Sequence, residues 1–313
     1  MPSTGTLHID SALTDVSVMY TNDDMVANEV FPTLPVDKRS NKYFVYSQDN
    51  FRADDDLRAP GAEADESNWD LSTDTYYADG HAKAAVIPDE WRENEDAALD
   101  IDIDTTTMLT EQIWLRREVN AVTQVAAGLT PTDLSASTYA NAWDTDTADP
   151  IKQIDLAKKT IKRATGKKAN RLLISEPVFL GLRNNALVKA RISGAPDFEA
   201  SLITEQMLAA VLGVEKLVIG GAVYATTKPG QVQANDYVWG KYALLYYKPP
   251  TPGKRTVSLG YEMTWNKGRL GSLVYRFRLD PRHSDKIEVM RYYDLKVVAA
   301  GAGVLWSNAI QNA

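Results

Sequence analysis

The apolar residues near the N-terminus constrain the fold more than any other part of the sequence. They recur every few positions between Val26 and Val36, and Pro32 and Pro35 interrupt them. Two prolines three residues apart exclude a continuous helix and favour an extended path. An extended segment cannot bury such residues on itself, so residues 1–40 are predicted to form an arm on another surface. A second subunit is one candidate for that surface.

A long hairpin is predicted after the arm. The segment Lys42–Tyr46 is rich in aromatic and β-branched residues, as a strand requires, and a second strand is predicted from Thr73 to Val86. Residues 54–66 between them are acidic, nearly free of apolar side chains, and broken by Pro60-Gly61. Projecting loops of this length usually serve in binding.

Helical periodicity replaces the strand pattern from Asp89 onward. Apolar residues from Leu99 to Val125 predict one helix of about 30 residues that ends at Gly128. A second helix should begin at Pro150 with Asp149 as its N-cap. Alternating strands and helices follow to about residue 219, and strands predominate from Tyr237 to Val298. This alternation favours an α/β or α+β domain in this part of the chain. The fold class of the whole chain is predicted to be α+β.

Charge divides the chain into unlike halves. Residues 1–110 carry 24 acids and 7 bases, whereas residues 111–313 carry 18 acids and 27 bases. Such complementary halves suit copies of one chain that meet head to tail. An acidic flexible region attached to an ordinary domain would give the same pattern.

The residues needed for most kinds of catalytic or metal site are missing or isolated. There is no cysteine, and the three histidines, His8, His81 and His283, are far apart. Acids at positions 100, 102, 104 and 111 match part of a calcium loop, but Thr105 stands where the sharp turn needs glycine. No nucleophile elbow, zinc motif or complete phosphate loop occurs. We expect no cofactor, no metal and no enzymatic activity, and neither a signal peptide nor a membrane span is indicated.

A basic set surrounds the helix that begins at Pro150. Lysines and arginines between Lys152 and Arg171 could contact phosphates, but no aromatic residues are interleaved with them. A solvated helix face, or a partner for acidic loops, fits this pattern better.

The order of these parts resembles the major capsid proteins of tailed double-stranded-DNA phages, which have the Hong Kong 97 capsid fold. Local likenesses run through the whole chain: Asn28-Glu-Val-Phe-Pro-Thr-Leu-Pro-Val-Asp-Lys38, Leu172-Leu-Ile-Ser-Glu-Pro-Val-Phe-Leu-Gly-Leu-Arg183, Val214-Glu-Lys-Leu-Val-Ile219, Trp239-Gly240 and Tyr292-Tyr-Asp-Leu-Lys-Val-Val298. They cover nearly the whole chain, from about Val26 to Ser307.

The resemblance implies a division of the chain into named parts. These are an N-terminal arm (1–40), an extended loop (41–86), a peripheral domain with a long spine helix (87–148), an axial domain (149–254), peripheral strands (255–298) and a C-terminal segment that rejoins the axial domain (299–313). It implies a virion-head subunit that is assembled in the host cytoplasm. Hexamers and pentamers of this chain would enclose DNA without reading its sequence and without a membrane. A portal protein, and separate scaffold or decoration proteins, would be further partners.

Two other functions remain open from the sequence: the shell protein of an encapsulin-like cellular nanocompartment, and a soluble hydrolase. For a shell, the predicted inter-subunit contacts are the arm's apolar residues, the acids of the hairpin and a basic helix face. They are Val30, Phe31, Leu34, Asp54, Asp55, Asp56, Glu63, Asp65, Glu66, Lys158, Lys159 and Lys162.

Overall fold

Two β-sheets and one long helix organise the molecule. A computed structural model describes residues 8–9, 25–46, 51–53, 57–58, 60–61, 63, 66, 71–93, 101–135, 141–193, 203–228, 230–232, 234–253, 256–265 and 272–311. Its helices are α1 (Ala27–Val30), α2 (Asp89–Glu93), α3 (Ile101–Gly128), α4 (Pro150–Thr165), α5 (Glu176–Asn184), α6 (Ala186–Ser193) and α7 (Glu205–Leu212). None of these helices combines the length and the hydrophobicity that crossing a bilayer requires.

The strands follow the chain from one sheet to the other. The first eight are β1 (His8–Ile9), β2 (Thr33–Pro35), β3 (Ser40–Tyr46), β4 (Leu71–Tyr77), β5 (Asp79–Pro88), β6 (Thr132–Asp133), β7 (Arg171–Ser175) and β8 (Lys216–Gly220). The others are β9 (Val223–Ala225), β10 (Asn235–Tyr237), β11 (Ala243–Tyr246), β12 (Gly260–Thr264), β13 (Leu273–Leu279), β14 (Ser284–Val297) and β15 (Gly303–Ser307).

The six-stranded sheet is built around the 14-residue strand β14. Its main order is β1-β13-β14-β12-β2, and β5 also pairs with β14. The pairing of β5 with β14 runs over ten positions, from Pro88 opposite Ser284 to Asp79 opposite Tyr293. Helix α3 packs on this sheet through a stripe of side chains spaced four residues apart. The predicted long helix is thus confirmed, ending at Gly128 as expected.

The five-stranded sheet has the order β6-β15-β11-β7-β8. Helices α4, α5 and α7 cover it and share its largest apolar core, which includes Trp143, Ile154 and Leu172. Asp149 caps α4 by accepting a hydrogen bond from the Lys152 backbone N–H at 3.0 Å, and Gly166 ends the helix in the left-handed conformation, φ 68°. The predicted start of α4 is therefore confirmed.

Two strand predictions need correction. The strand predicted from Thr73 to Val86 is interrupted at Ala78: β4 pairs with β3, whereas β5 joins the six-stranded sheet. Trp239 and Gly240, predicted in a strand, lie in a turn that follows β10. Gly240 has φ 46° there, which breaks a strand path.

Candidate functional site

The hairpin of β3 and β4 is a two-stranded ribbon, paired over seven positions from Ser40–Tyr77 to Tyr46–Leu71. Its described faces carry exposed side chains, among them Phe44, which is 59% exposed. In the connecting loop, Leu57 is 89% exposed. A two-stranded ribbon is marginally stable alone in water. The exposed apolar residues therefore make this hairpin a candidate contact surface.

The acidic residues of the loop are only partly within the described chain. Glu63 and Glu66 are exposed there. The predicted contact residues Asp54, Asp55, Asp56 and Asp65 lie outside the described residues. Their pairing with a basic surface stays a prediction.

The basic residues of α4 differ in their surroundings: one bonds within the chain and two face solvent. Lys159 and Lys162 are exposed. Lys158 is only 22% exposed; its Nζ donates to the Leu212 carbonyl at the C-terminus of α7 and to Asp155 Oδ1 at 3.1 Å. A cation is favourable at a helix C-terminus. The structure thus gives Lys158 an intramolecular role, which the sequence pattern did not reveal.

The loop of the hairpin reaches the end of this same helix. Phe51 lies against Gly166, the C-cap of α4, so closely that a Cβ built at Gly166 would be 3.1 Å from two ring carbons. The ring itself remains 58% exposed. Phe51 and the C-terminal end of α4 therefore lie side by side within one chain.

The arm requires a correction. Val30 and Phe31, predicted to anchor on a neighbouring subunit, are fully buried in the chain's own core. Leu34 is half-buried in β2, where it pairs in parallel with Met263 of β12. Val30 and Phe31 are inaccessible because the surface that the arm requires is supplied by the same chain.

A buried ionic cluster joins α3 to the six-stranded sheet. Glu262 accepts hydrogen bonds from Arg117, whose Nε lies at 2.9 Å, and from Arg291 Nη2 at 2.6 Å. The side chains of all three are at most 4% exposed. Burial acts to raise the pKa of Glu262, but the two guanidinium groups hold it below its ordinary value. Both guanidinium groups also stack over the indole of Trp114.

The position of Arg117 in the sequence could have indicated this cluster. Leu109, Ile113, Arg117, Ala121 and Val125 are buried and lie four residues apart on α3. Arg117 occupies the middle of that apolar stripe. A charged residue at such a position predicts a buried partner.

A second ionic cluster surrounds Asp285 near the start of β14, opposite Ile87 of β5. Its Oδ2 accepts hydrogen bonds from Arg92 Nη1 at 2.6 Å and from Arg276 Nη2 at 2.7 Å. Arg278 bridges Asp285 to Asp89, at 2.6 Å from Asp89 Oδ2. Burial acts to raise the pKa of Asp285, but the hydrogen bonds from the arginines lower it to about 2.

These contacts also bear on the charge asymmetry. Asp89 belongs to the acidic half and Arg278 to the basic half, and Arg276 reaches Asp102 at 3.3 Å. Part of the attraction between the halves is therefore satisfied within one chain. Only the charged side chains that remain exposed are available to attract neighbouring copies.

A groove lies between the end of α3, helix α4 and β15. It has a volume of about 630 Å³, and its walls include Leu129, Gln153, Leu156 and Trp306. No charged side chain is among its lining residues in the described chain. No cluster of three or more potential metal ligands occurs in the described chain either. The candidate functional site therefore consists of contact surfaces, on the β3–β4 hairpin and on α4, and of ionic clusters that join parts of the chain.

Comparisons with known proteins identify what these surfaces belong to. No family model matches the chain. The chain is 26% identical over 314 residues to the major capsid protein of Burkholderia phage BcepMu, with 96% of each chain covered. It is 24% identical over 319 residues to the major capsid protein of Pseudomonas phage JBD67, covering 96% of this chain and 97% of the other. This chain is a structural capsid protein, similar to phage major capsid proteins over 96% of its length.

Solved structures agree on the fold. A phage-related protein from Bordetella bronchiseptica matches with a TM-score of 0.75 at 22% identity, over 98% of this chain and all of that one. The mature capsid protein of bacteriophage PhiM1 matches with a TM-score of 0.56 at 13% identity, over 92% and 87% of the two chains. An encapsulin from Synechococcus elongatus has the same fold, with a TM-score of 0.51 at 12% identity and 97% of both chains covered. The predicted α+β class and capsid fold are confirmed.

The comparisons also fix the coarse role of the capsid protein. It is a structural subunit that assembles with copies of itself into an oligomeric shell, and its place is the virion head.

Proposed function

We propose that this capsid protein builds the icosahedral head of a tailed phage from pentamers and hexamers of itself, around a double-stranded DNA genome. The observation that carries the proposal is the match to two phage major capsid proteins over 96% of the chain. The role is mechanical, without catalysis. Assembly would take place in the host cytoplasm, and a portal protein and separate scaffold or decoration proteins would be further partners.

We propose the following division of the chain for this role. Residues 1–40 serve as the arm and 41–86 as the extended loop. Residues 87–148 and 255–298 form the peripheral domain, residues 149–254 form the axial domain, and residues 299–313 return to the axial domain. The pairing of β15 with β11 in the five-stranded sheet agrees with that last assignment.

The contact between subunits is proposed to pair the acidic loop of one copy with exposed cations of α4 in the next. Lys159 and Lys162 are placed for this role because both are exposed. Their proposed acidic counterparts are Asp54, Asp55, Asp56, Glu63, Asp65 and Glu66, and half-buried Leu34 is the proposed contact of the arm. Within one chain, loop residue Phe51 already lies against Gly166 at the end of α4, which supports placing the loop near this helix.

Charge reversal tests this contact. Changing Asp54, Asp55 and Asp56 to Lys should slow assembly and abolish its sensitivity to salt, because exposed charges are screened beyond about 8 Å at physiological ionic strength. Light scattering at several salt concentrations measures both effects. Reversing the exposed acids Asp146, Glu205 and Asp236 is the matched control. Identical behaviour of the two triple variants would refute the pairing.

A second candidate is the shell of a cellular nanocompartment, which the likeness to the Synechococcus encapsulin favours. Purified particles distinguish the two functions. A phage head assembled during infection would contain nuclease-protected DNA of genome length, whereas a nanocompartment would contain protein cargo.

A further inference from the structure

The single-turn helix α1 lies where three parts of the capsid protein meet. Val26, Ala27, Val30 and Phe31 belong to the same apolar core as residues of α3, of the five-stranded sheet and of the six-stranded sheet. Ala27, Val30 and Phe31 are fully buried. We name residues 25–31 the arm clasp.

One carboxylate holds the start of the clasp. Glu118 of α3 accepts hydrogen bonds from the backbone N–H of Val26, at 3.1 Å, and of Ala27, at 2.9 Å. These N–H groups stand at the N-terminus of α1, where backbone donors lack helical partners and negative charge is favourable. The same carboxylate accepts a hydrogen bond from Trp239 Nε1 at 2.7 Å. Glu118 therefore joins the clasp, the spine helix and the turn before β11.

The clasp is also attached to the five-stranded sheet by charge. Glu29 lies 2.9 Å from Lys216 Nζ, at the start of β8, and 2.7 Å from Lys248 Nζ, just beyond β11. Burial acts to raise the pKa of Glu29, but the two lysines lower it to about 2.

The other side of the clasp holds the six-stranded sheet. Asn28 Oδ1 accepts a hydrogen bond from Arg117 Nη2 at 2.6 Å, and Arg117 is bound in turn to Glu262 of β12. Phe31 packs on Gly260 so closely that a Cβ there would lie 2.5 Å from its ring. The Pro32 carbonyl then accepts a hydrogen bond from Glu262 N–H at 3.1 Å.

We infer that the arm clasp is an intramolecular joint that fixes the angle between the two sheets, with Glu118 and Glu29 as its positioning residues. Two domains of one chain are expected to move relative to each other unless the interface between them is large and apolar. The clasp supplies an apolar wedge together with charged contacts to both sides. Opening it would free that angle, a change that shell subunits in different environments could exploit.

Distance measurement tests the joint directly on the unassembled subunit. Because the chain contains no cysteine, Lys83→Cys on β5 and Lys168→Cys after α4 would be the only thiols for spin labels. Both side chains are exposed. With the clasp intact, electron–electron resonance should give one narrow distance distribution.

Glu118→Gln and Glu29→Gln should each broaden that distribution at least about twofold or add a second distance. Hydrogen exchange at Val26 and Ala27 should accelerate on the order of tenfold in Glu118→Gln, because local opening governs exchange. Glu111→Gln, on the same helix, is the matched control and should change neither readout.

Unchanged distances in both variants, with exchange at Val26 and Ala27 also unchanged, would overturn the inference. If Glu118→Gln does not fold, Glu29→Gln still decides it, because Glu29 is 27% exposed and its loss leaves the core intact. These readouts do not depend on shell formation, so they can fail while the proposed function stands.

Discussion

Removing the buried charge of Glu262 should destabilise the capsid protein more than any surface change of the same kind. The substitution Glu262→Gln leaves Arg117 and Arg291 buried, with side chains 1% and 4% exposed, and without a counter-charge. Breaking a buried ion pair in this way costs about 3–5 kcal/mol of unfolding free energy. At about 2 °C per kcal/mol for a chain of this size, the melting temperature should fall by about 6–10 °C.

Differential scanning calorimetry of the unassembled subunit measures this shift. Glu288→Gln is the matched control, since Glu288 lies on the same sheet and pairs at 2.9 Å with Lys286, whose side chain is 36% exposed. Its loss should cost no more than about 1 kcal/mol. Replacing Glu262, Arg117 and Arg291 together by Leu or Met should restore part of the stability, because no unpaired charge remains. Equal melting temperatures for Glu262→Gln and Glu288→Gln would refute this reasoning.

Three further substitutions test other contacts within the molecule. Gly260→Ala should cost about 1–3 kcal/mol by overpacking against Phe31, and unchanged urea unfolding would contradict that close contact. The pKa of Asp285 is lowered from 3.8 to about 2, so its charge should stabilise the fold above about pH 4 and lose that effect as the pH falls through 2. If Asp285→Asn lowers the free energy of unfolding equally at pH 7 and at pH 2, this expectation is wrong. Asn185 is buried and donates hydrogen bonds to three carbonyl groups, so Asn185→Ala should cost about 1–3 kcal/mol of unfolding free energy. The same change at exposed Asn184 should cost little, and equal unfolding midpoints for the two variants would contradict this prediction.

Local signals predicted much of the secondary structure because local chemistry determines those elements. Gly128 after a periodic apolar stretch marked the end of α3, and Asp149-Pro150 marked the start of α4. Gly213, in the left-handed conformation, likewise ends α7. Each of these signals acts within a few residues of the element that it defines.

Long-range contacts could not be predicted in this way. The arm's apolar residues showed that a covering surface was needed, but nothing local indicated that the same chain supplies it. Likewise, Arg117 and Glu262 are 145 residues apart in sequence, so their pairing depends on the packing of α3 against β12. The division of charge at residue 110 suits contact between copies, or an acidic flexible region, but neither interpretation predicts the pair Arg278–Asp89, which satisfies part of that charge within the subunit.

Cryo-electron microscopy of particles purified after expression of the full chain tests the central claim most directly. The account predicts closed icosahedral shells in which every subunit contains both sheets and the long helix α3, with the β3–β4 hairpin of one copy lying on the α4 surface of the next. A stable small oligomer that forms no closed particle under any assembly condition would contradict it.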